Sequence, residues 1–575
     1  MKLHRTVLKN YAIAVLLLAC GQQIFAQEDP TKPVTIDSFN VVRDYRPILA
    51  DAVKIRRSPD MTNKRSYMPR LNYSDIADKK LDINTGLKEL NVQELPFTRI
   101  EDLTSNYVKL GVGNFSSILA EAYLAVEDYE DIRFGGFVKH LSQSGRLEEQ
   151  KFGRQELGVF GRRVLSNFTV DGVLGYNRYA TRFYGIPVDE NSITLNPEKE
   201  PQRFNDIYFT GELTSNYDPQ NDEALSYSAK VDAYAYGDKY DAKEHSFALS
   251  GYLNKRMRTF NIGANLGVDV NALNGTAHTE NAGKWNNSVF NFNPYVSFKG
   301  TNYALILGAN LVSEFGDVSR FNIFPTAEID FSLVPGYIHL FGGINGGVKK
   351  ASYRALSQLN PYLGPEQSFQ NAIERLNFFG GVKGNAGATF GYKAKVMYKS
   401  IEGMHLFVNN RENPFRFDVV YDGDENDRVK YFGIEGELNV RLSDVVNIGG
   451  RLNIDGYTMA TQQEAWFTPA VRLAANARFN ISEKIYIDAE ALMHDRTSAR
   501  AYIYDNSTTP TTISADYHVV SVPSFFDFSA GVEYRALKNL GIFAKANNMF
   551  NSEYQRYLYY PRLGFNLIGG VNFSF

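Results

Sequence analysis

The sequence predicts an all-β fold: a transmembrane antiparallel β-barrel of about 22 strands behind a short N-terminal periplasmic segment. Apolar and polar residues alternate with period two over segments of roughly 10 to 16 residues, longer than globular strands and long enough to cross a bilayer. Charges recur on one face of these segments only. Short turns alternate with long connections along the 575-residue chain, and beyond the N-terminal leader no run of about 18 apolar residues offers a spanning helix.

The chain opens with Lys2, His4, Arg5 and Lys9, then an apolar run from Tyr11 to Ala19, and reaches the small residue Ala26 before Gln27. This reads as a secretory signal peptide over residues 1–26, too short to span a membrane. The sole cysteine, Cys20, closes the sequence LLAC, which also reads as a lipoprotein acylation site, but the bulky Leu18 favours cleavage after Ala26. Cleavage there leaves no cysteine, and with it no disulfide and no thiolate metal site. Residues 27–106 form a separate N-terminal segment. Asp44, Tyr45, Arg46 and Pro47, followed by Lys54, Arg56 and Arg57, make a basic, turn-rich stretch in it, and Pro47 and Pro59 interrupt any helix. The segment reads as a periplasmic tail partly filling the barrel mouth, as a docking segment for a periplasmic partner or a surface lipoprotein, or as a shortened plug.

From Tyr107 to Phe575 the pattern is repetitive. Between Tyr431 and Leu442, Phe432, Ile434, Leu438 and Val440 share one face, while Tyr431, Glu435, Glu437, Asn439 and Arg441 share the other. The following segments set Arg451 and Asp455, then Arg472 and Arg478, then Asp488 and Glu490, on the same polar face. A barrel gives lipid every second side chain and keeps the others in a polar lumen. These eight charges are therefore the candidate lumen residues, and cross-strand pairing is their ordinary role. A soluble sandwich would put the same charges in water, but its strands would be shorter.

Short turns are expected near Leu165-Ser166-Asn167, Lys255-Arg256, Lys299-Gly300, Val334-Pro335-Gly336, Lys383-Gly384-Asn385, Ser443-Asp444, Ser482-Glu483 and Leu537-Lys538-Asn539. Longer, more polar connections are expected at about 185–203, 271–285, 351–371, 409–427, 456–467 and 495–523. Bacterial barrels keep short turns in the periplasm and long loops outside, which orients the chain and gives the strand count. Gly111-Val112-Gly113-Asn114 reads as a tight turn between the first two strands. Trp285 and Trp466, near outer strand ends, read as members of an aromatic girdle. Asn360-Pro361-Tyr362-Leu363-Gly364-Pro365 reads as an ordered loop whose tyrosine contacts a ligand or surface partner.

The last strand ends on an aromatic residue. Gly570, Phe573 and Phe575 fit a glycine-x-x-aromatic-x-aromatic spacing that resembles the C-terminal signal read by bacterial barrel-assembly machinery, with Ile568 where that pattern usually has a polar residue. Just upstream, Asn547-Asn548-Met549-Phe550-Asn551-Ser552-Glu553-Tyr554 and Tyr560-Pro561-Arg562 resemble the closing segment of TonB-dependent outer-membrane receptors. Leu563-Gly564-Phe565 departs from the Gly-Arg pair expected there. The resemblance implies a 22-stranded barrel importing a scarce nutrient with energy coupled from the inner membrane. It also implies an N-terminal plug of well over a hundred residues and a coupling box, but residues 27–106 offer roughly 80 residues and neither motif.

Composition narrows the function classes. Mean hydropathy is −0.31, with 36 Tyr and 40 Phe; a helical membrane protein would be far more apolar. A net charge of −3 predicts no nucleic-acid partner. His140, His245, His278, His339, His405, His494 and His518 are scattered without metal-ligand spacing, so neither catalysis nor a cofactor is expected. Two readings stay open: a ligand receptor or transporter of the outer membrane, or a plugless accessory barrel of an export, assembly or surface-display complex.

Overall fold

The computed structural model describes residues 106–575 apart from 130, 191–192, 217–224, 276–283, 365–366, 387–388, 444 and 506–511. Residues 1–105 lie outside the described residues, and with them the leader, Cys20 and the docking candidates Asp44, Tyr45, Arg46, Lys54, Arg56 and Arg57.

A single 22-stranded antiparallel sheet closes on itself. Its strands run from 7 residues (Tyr107–Gly113) to 16 (Lys284–Lys299). Closure joins the first strand to the last: Tyr107 lies opposite Ser574 and Gly113 opposite Ile568. Asn106 and Phe575 extend the ladder by exchanging backbone hydrogen bonds of 3.3 and 3.1 Å. No strand edge is left in the wall, the condition for a sheet to cross lipid.

The alternation sorts the side chains as expected. Phe432 and Leu438 are 49% and 52% exposed on the outside, whereas Glu437 between them is 4% exposed on the inside. Val112, Leu157, Ile323 and Phe378 continue the outer apolar surface. Because this surface faces hydrocarbon, Leu157→Arg in the middle of Lys151–Val164 is expected to cost about 2–4 kcal/mol, measured by urea unfolding in lipid vesicles. An unchanged unfolding midpoint would remove Leu157 from the lipid face.

On the inside, aromatic rings lie across glycines of the neighbouring strand. Phe137 stands opposite Gly158 and Tyr295 opposite Gly263. A methyl group at Gly158 would meet Phe137 Cζ at 2.5 Å, and one at Gly263 would meet Tyr295 Cζ at 2.2 Å. These pairs let large rings flatten against a curved wall, in the manner of an aromatic side chain covering a strand glycine.

Connections at the Phe575 end are mostly short, as at 165–167, 257–259, 300–302, 335–337, 442–445, 481–484 and 536–539. Three turn positions differ from expectation: Lys255 and Arg256 end the strand Lys243–Arg256, ahead of the turn at 257–259. Lys383 to Asn385 belong to Ala372–Ala386, the strand running past its glycine, and Gly111 to Gly113 end the first strand, with the turn at 114–116. At the other end the long connections fold into structure of their own. They contain the hairpins Val188–Glu190 with Ile193–Leu195, Met404–Asn409 with Phe417–Asp422, and Thr497–Asp505 with Thr512–Val522. A helix of seven residues, α1 (Tyr353–Leu359), lies in the connection 350–371.

Candidate functional site: a capped outer mouth above a charged wall

The eight lumen candidates occupy four adjacent strands and share the inner face. Arg451 pairs with Glu437, Arg472 with Asp455 at 2.5 Å, Arg478 with Asp488 at 2.7 Å, and Lys393 of the preceding strand with Glu435 at 3.5 Å. Tyr431 adds a hydroxyl to Asp455 at 2.6 Å. Glu490 stands opposite Asn476 on the same wall. Cross-strand pairing neutralises this wall and stiffens it. Among the described residues no group of three or more His, Cys, Asp or Glu is arranged to hold a metal ion.

The outer mouth was not legible from the sequence. The long connections, expected to be polar, bring in a cluster of buried aromatic and aliphatic residues: Phe183 and Tyr184, Tyr362 and Leu363, Phe415 and Phe417, and Tyr557 and Tyr560. Inner-face residues at the outer strand ends, among them Phe204, Tyr236 and Leu273, complete it. At its centre Tyr560 stacks on Tyr362, centroids 3.6 Å apart, and meets Tyr184 edge-on at 5.1 Å. Its hydroxyl donates to the Phe415 carbonyl at 2.6 Å, while the Pro561 carbonyl accepts from Tyr184 and from Gln150, each at 2.9 Å. Burial, and then the neighbouring Tyr184, holds the Tyr560 hydroxyl well above the usual phenol value.

The segment carrying the family resemblance therefore has a physical role here. Asn548 and Asn551 take φ of 48° and 50°, the left-handed region that asparagine tolerates best after glycine. They turn the chain at the rim so that Phe550 faces outward against Phe526, at 5.7 Å, while Tyr554 turns inward to stack on Phe525 at 4.0 Å. Tyr560-Pro561 then enters the cap.

Three expectations about this end are corrected. Trp285 and Trp466 are not girdle residues, being 3% and 1% exposed. Trp285 points inward and stacks on Phe369 at 4.9 Å; Trp466 donates to Gln462 at 3.1 Å beneath the Arg500 guanidinium, 5.1 Å from its ring. Tyr362 is 3% exposed and locked in the cap, so it presents no ring to a surface partner.

Carboxylates bind the cap to the wall. Glu244, fully buried, accepts the N–H groups of Tyr353 at 3.1 Å and Arg354 at 2.8 Å and the Asn271 amide at 2.8 Å. Ser352 caps the same helix end by accepting from Ala355 N–H at 3.1 Å. Arg354 reaches Asp206 at 2.5 Å and lies 4.3 Å over Tyr234. At the far end of the connection, Glu314 accepts from Asn371 at 2.8 Å and pairs with Arg320 at 3.0 Å.

Asp422 ties two loops together. It accepts the N–H groups of Ala460 at 2.7 Å, Thr461 at 2.8 Å and Gln462 at 3.1 Å, and the Thr461 hydroxyl. Burial opposes its charge, but the Thr461 hydroxyl and the three N–H groups outweigh it and hold the carboxyl below the usual aspartate value. A depressed folded value means that this contribution is present above the unfolded value and lost as pH falls through the folded one. Asp422→Ala is expected to cost about 3 kcal/mol of local stability, and amide exchange of 459–462 measured near neutral pH tests it. Exchange unchanged from the parent would show that Asp422 does not hold the loop.

The fold and mouth define a class of protein, the closed 22-stranded membrane barrel with structured loops at one end, located in the outer membrane. Its architecture is similar to that of TonB-dependent receptors. The ferripyoverdine receptor FpvA of Pseudomonas aeruginosa, solved with a heterologous pyoverdine, superposes with a TM-score of 0.61 at 10% identity, covering 82% of this chain and 72% of that one. The FrpB iron transporter of Neisseria meningitidis (F5-1 variant) gives 0.59 at 11% identity, covering 83% of each chain. The siderophore receptor PiuA of Acinetobacter baumannii gives 0.56 at 12%, covering 82% of each. At such identities the likeness is one of fold. No protein-family model and no curated protein matches the chain.

Proposed function

We propose that this chain is an outer-membrane receptor of a Gram-negative bacterium that binds a ligand at the cell surface and admits it to the barrel. One observation carries the reading: a 22-stranded wall of receptor type gathers its long connections at one end into a single ordered surface above a charged lumen. Loops held on a rigid scaffold are where binding residues concentrate. The neighbours' names speak of iron and siderophores, and a small, scarce nutrient is the ligand class proposed here. Residues 1–26 act as the export leader, Gly570, Phe573 and Phe575 as the assembly signal, and residues 27–106 as the periplasmic docking region. The accessory-subunit reading keeps in its favour that residues 27–106 show neither plug motif nor coupling box.

Purification from native outer membranes, followed by mass spectrometry of everything bound, tests the proposal. A solitary chain with a bound small molecule supports it. A stoichiometric protein partner and no small molecule would overturn it.

A further inference from the structure

We propose that the outward face of the wall, at its capped end, carries a lipid site: a recess over Gly153 and Ala180, ringed by Lys151, Arg178, Arg182 and Arg203, that holds the headgroup phosphate of an anionic lipid in the outer leaflet. This goes beyond the receptor reading, and it holds whatever ligand enters the barrel.

Register sets the level of the recess. Val138, Leu157, Tyr176 and Ile207 stand opposite one another across four successive strands, Ile132–Ser144, Lys151–Val164, Phe168–Arg182 and Pro201–Ser215, and all share the outward parity. Val138, Leu157 and Ile207 are exposed, as lipid-facing side chains are. Two residues nearer the cap the next row is His140, Gln155, Arg178 and Asn205, and the apolar face ends there on all four strands. On the third strand the outward positions from Phe168 to Tyr176 carry no charge. Eight steps along a strand tilted by about 40° rise about 20 Å, close to the apolar band of a membrane barrel. Phe152 and Phe204, inward neighbours at the same height, belong to the cap, so this boundary is the outer one.

Cations gather just above that boundary. The following row is Ser142, Gly153, Ala180 and Arg203. A methyl group on Gly153 would lie 3.9 Å from the Ala180 Cβ, so the middle of this row stays low against the backbone. Arg178, which donates to Gln155 at 2.8 Å, borders it from below, and Arg203 from one side. Lys151 and Arg182 border it from above and share Glu149, at 3.1 and 2.9 Å. Among the described residues neither Arg178 nor Arg203 makes an ion pair. Four cations therefore face one carboxylate at the depth where a bilayer keeps its phosphates. Guanidinium forks take phosphate oxygens in pairs, and their charge counts for more beside hydrocarbon than in bulk water. A lipid satisfies both halves of the surface, its phosphate in the recess and its chains on Val138, Leu157, Leu174 and Ile207. Free phosphate would satisfy only the upper half, and this continuity with the apolar face selects the lipid.

The test titrates diphosphoryl lipid A onto the full-length chain in a neutral detergent and counts bound lipid by native mass spectrometry. Replacing both arginines, Arg178→Gln with Arg203→Gln, is expected to weaken binding at least about tenfold. Ala180→Leu fills the recess without altering charge and is expected to weaken binding as well. Lys430→Gln, an outward lysine at the outer end of the strand Val429–Arg441, is expected to change nothing. Inorganic phosphate in large excess is expected not to displace the lipid. Heat-modifiable migration in electrophoresis shows that each variant is folded. Should the double variant not fold, Arg203→Gln alone is expected to weaken binding by about threefold. Binding within about twofold of the parent in the folded arginine variant or in Ala180→Leu would overturn the proposal. Displacement by inorganic phosphate would make this a free-anion site, and an equal loss in Lys430→Gln would reduce it to general charge; either result overturns the lipid assignment.

Discussion

Gly570→Ala is expected to prevent the barrel from closing. Gly570 stands opposite Gly111 across the seam between the last strand and the first. A methyl group there would lie 1.9 Å from the Leu110 carbonyl oxygen and 2.6 Å from the Gly111 Cα. Both obstacles are backbone, so no rotamer change relieves the overlap, and the two strands must separate where the wall is completed. Overpacking of this kind costs about 3 kcal/mol, and here it is spent on the ladder that removes the sheet's edges. Heat-modifiable migration should fall sharply in Gly570→Ala relative to the parent. Phe573 and Phe575 provide the contrast, since they point outward at 44% and 48% exposed and stack on each other at 5.6 Å. Phe575→Ala should lower the yield in the membrane while the assembled fraction migrates normally. Equal folded fractions for Gly570→Ala and the parent would show that the glycine is not a geometric requirement of the seam.

This pair shows what a sequence can carry about such a fold. The spacing of Gly570, Phe573 and Phe575 was readable through its resemblance to an assembly signal, whereas the two-residue period of a strand exposed the charged wall from Tyr431 onward. Register explains why Glu437 finds Arg451 and Arg478 finds Asp488, for each pair lies on strands joined by a short turn and stands directly opposite. Trp285 was legible in principle, since it has the parity of Asn287, Asn291 and Asn293, all buried on the inner face. Proximity to the strand end suggested a girdle, and parity decided otherwise. The cap had no such period. Tyr560 meets Tyr184 and Tyr362, residues hundreds of positions away, and Glu244 meets Arg354 more than a hundred positions on. A hint was present in Tyr557-Leu558-Tyr559-Tyr560, too apolar a run for a solvated loop. Its partners could be found only once the wall had brought the four loops together.

Tyr560→Ala should then loosen the whole cap while leaving the wall intact. The side chain is 2% exposed and contributes to three ring contacts, with Tyr362, Tyr184 and Phe417, and the bond to the Phe415 carbonyl. Removing a buried aromatic of this size costs about 3–5 kcal/mol. Because that cost falls on loops, it appears as local opening rather than global unfolding. Amide exchange at Gly364, Phe417 and Ile186 should accelerate together: the first two N–H groups join the connection that carries α1 to the hairpin Met404–Asn409 with Phe417–Asp422, and the third donates to the Tyr559 carbonyl at 2.8 Å. Tyr560→Phe separates the ring from the hydroxyl. It keeps the stack on Tyr362 and leaves the Phe415 carbonyl unpartnered by that hydroxyl, a loss of about 1–3 kcal/mol, so its acceleration should be smaller and centred on the hairpin. Exchange at the Val164 end of Lys151–Val164, remote from the loops, should not change in either variant. If Tyr560→Ala accelerated exchange only at its immediate neighbours, the loops would be separate packing units, and the outer mouth would not be closed by one cooperative core.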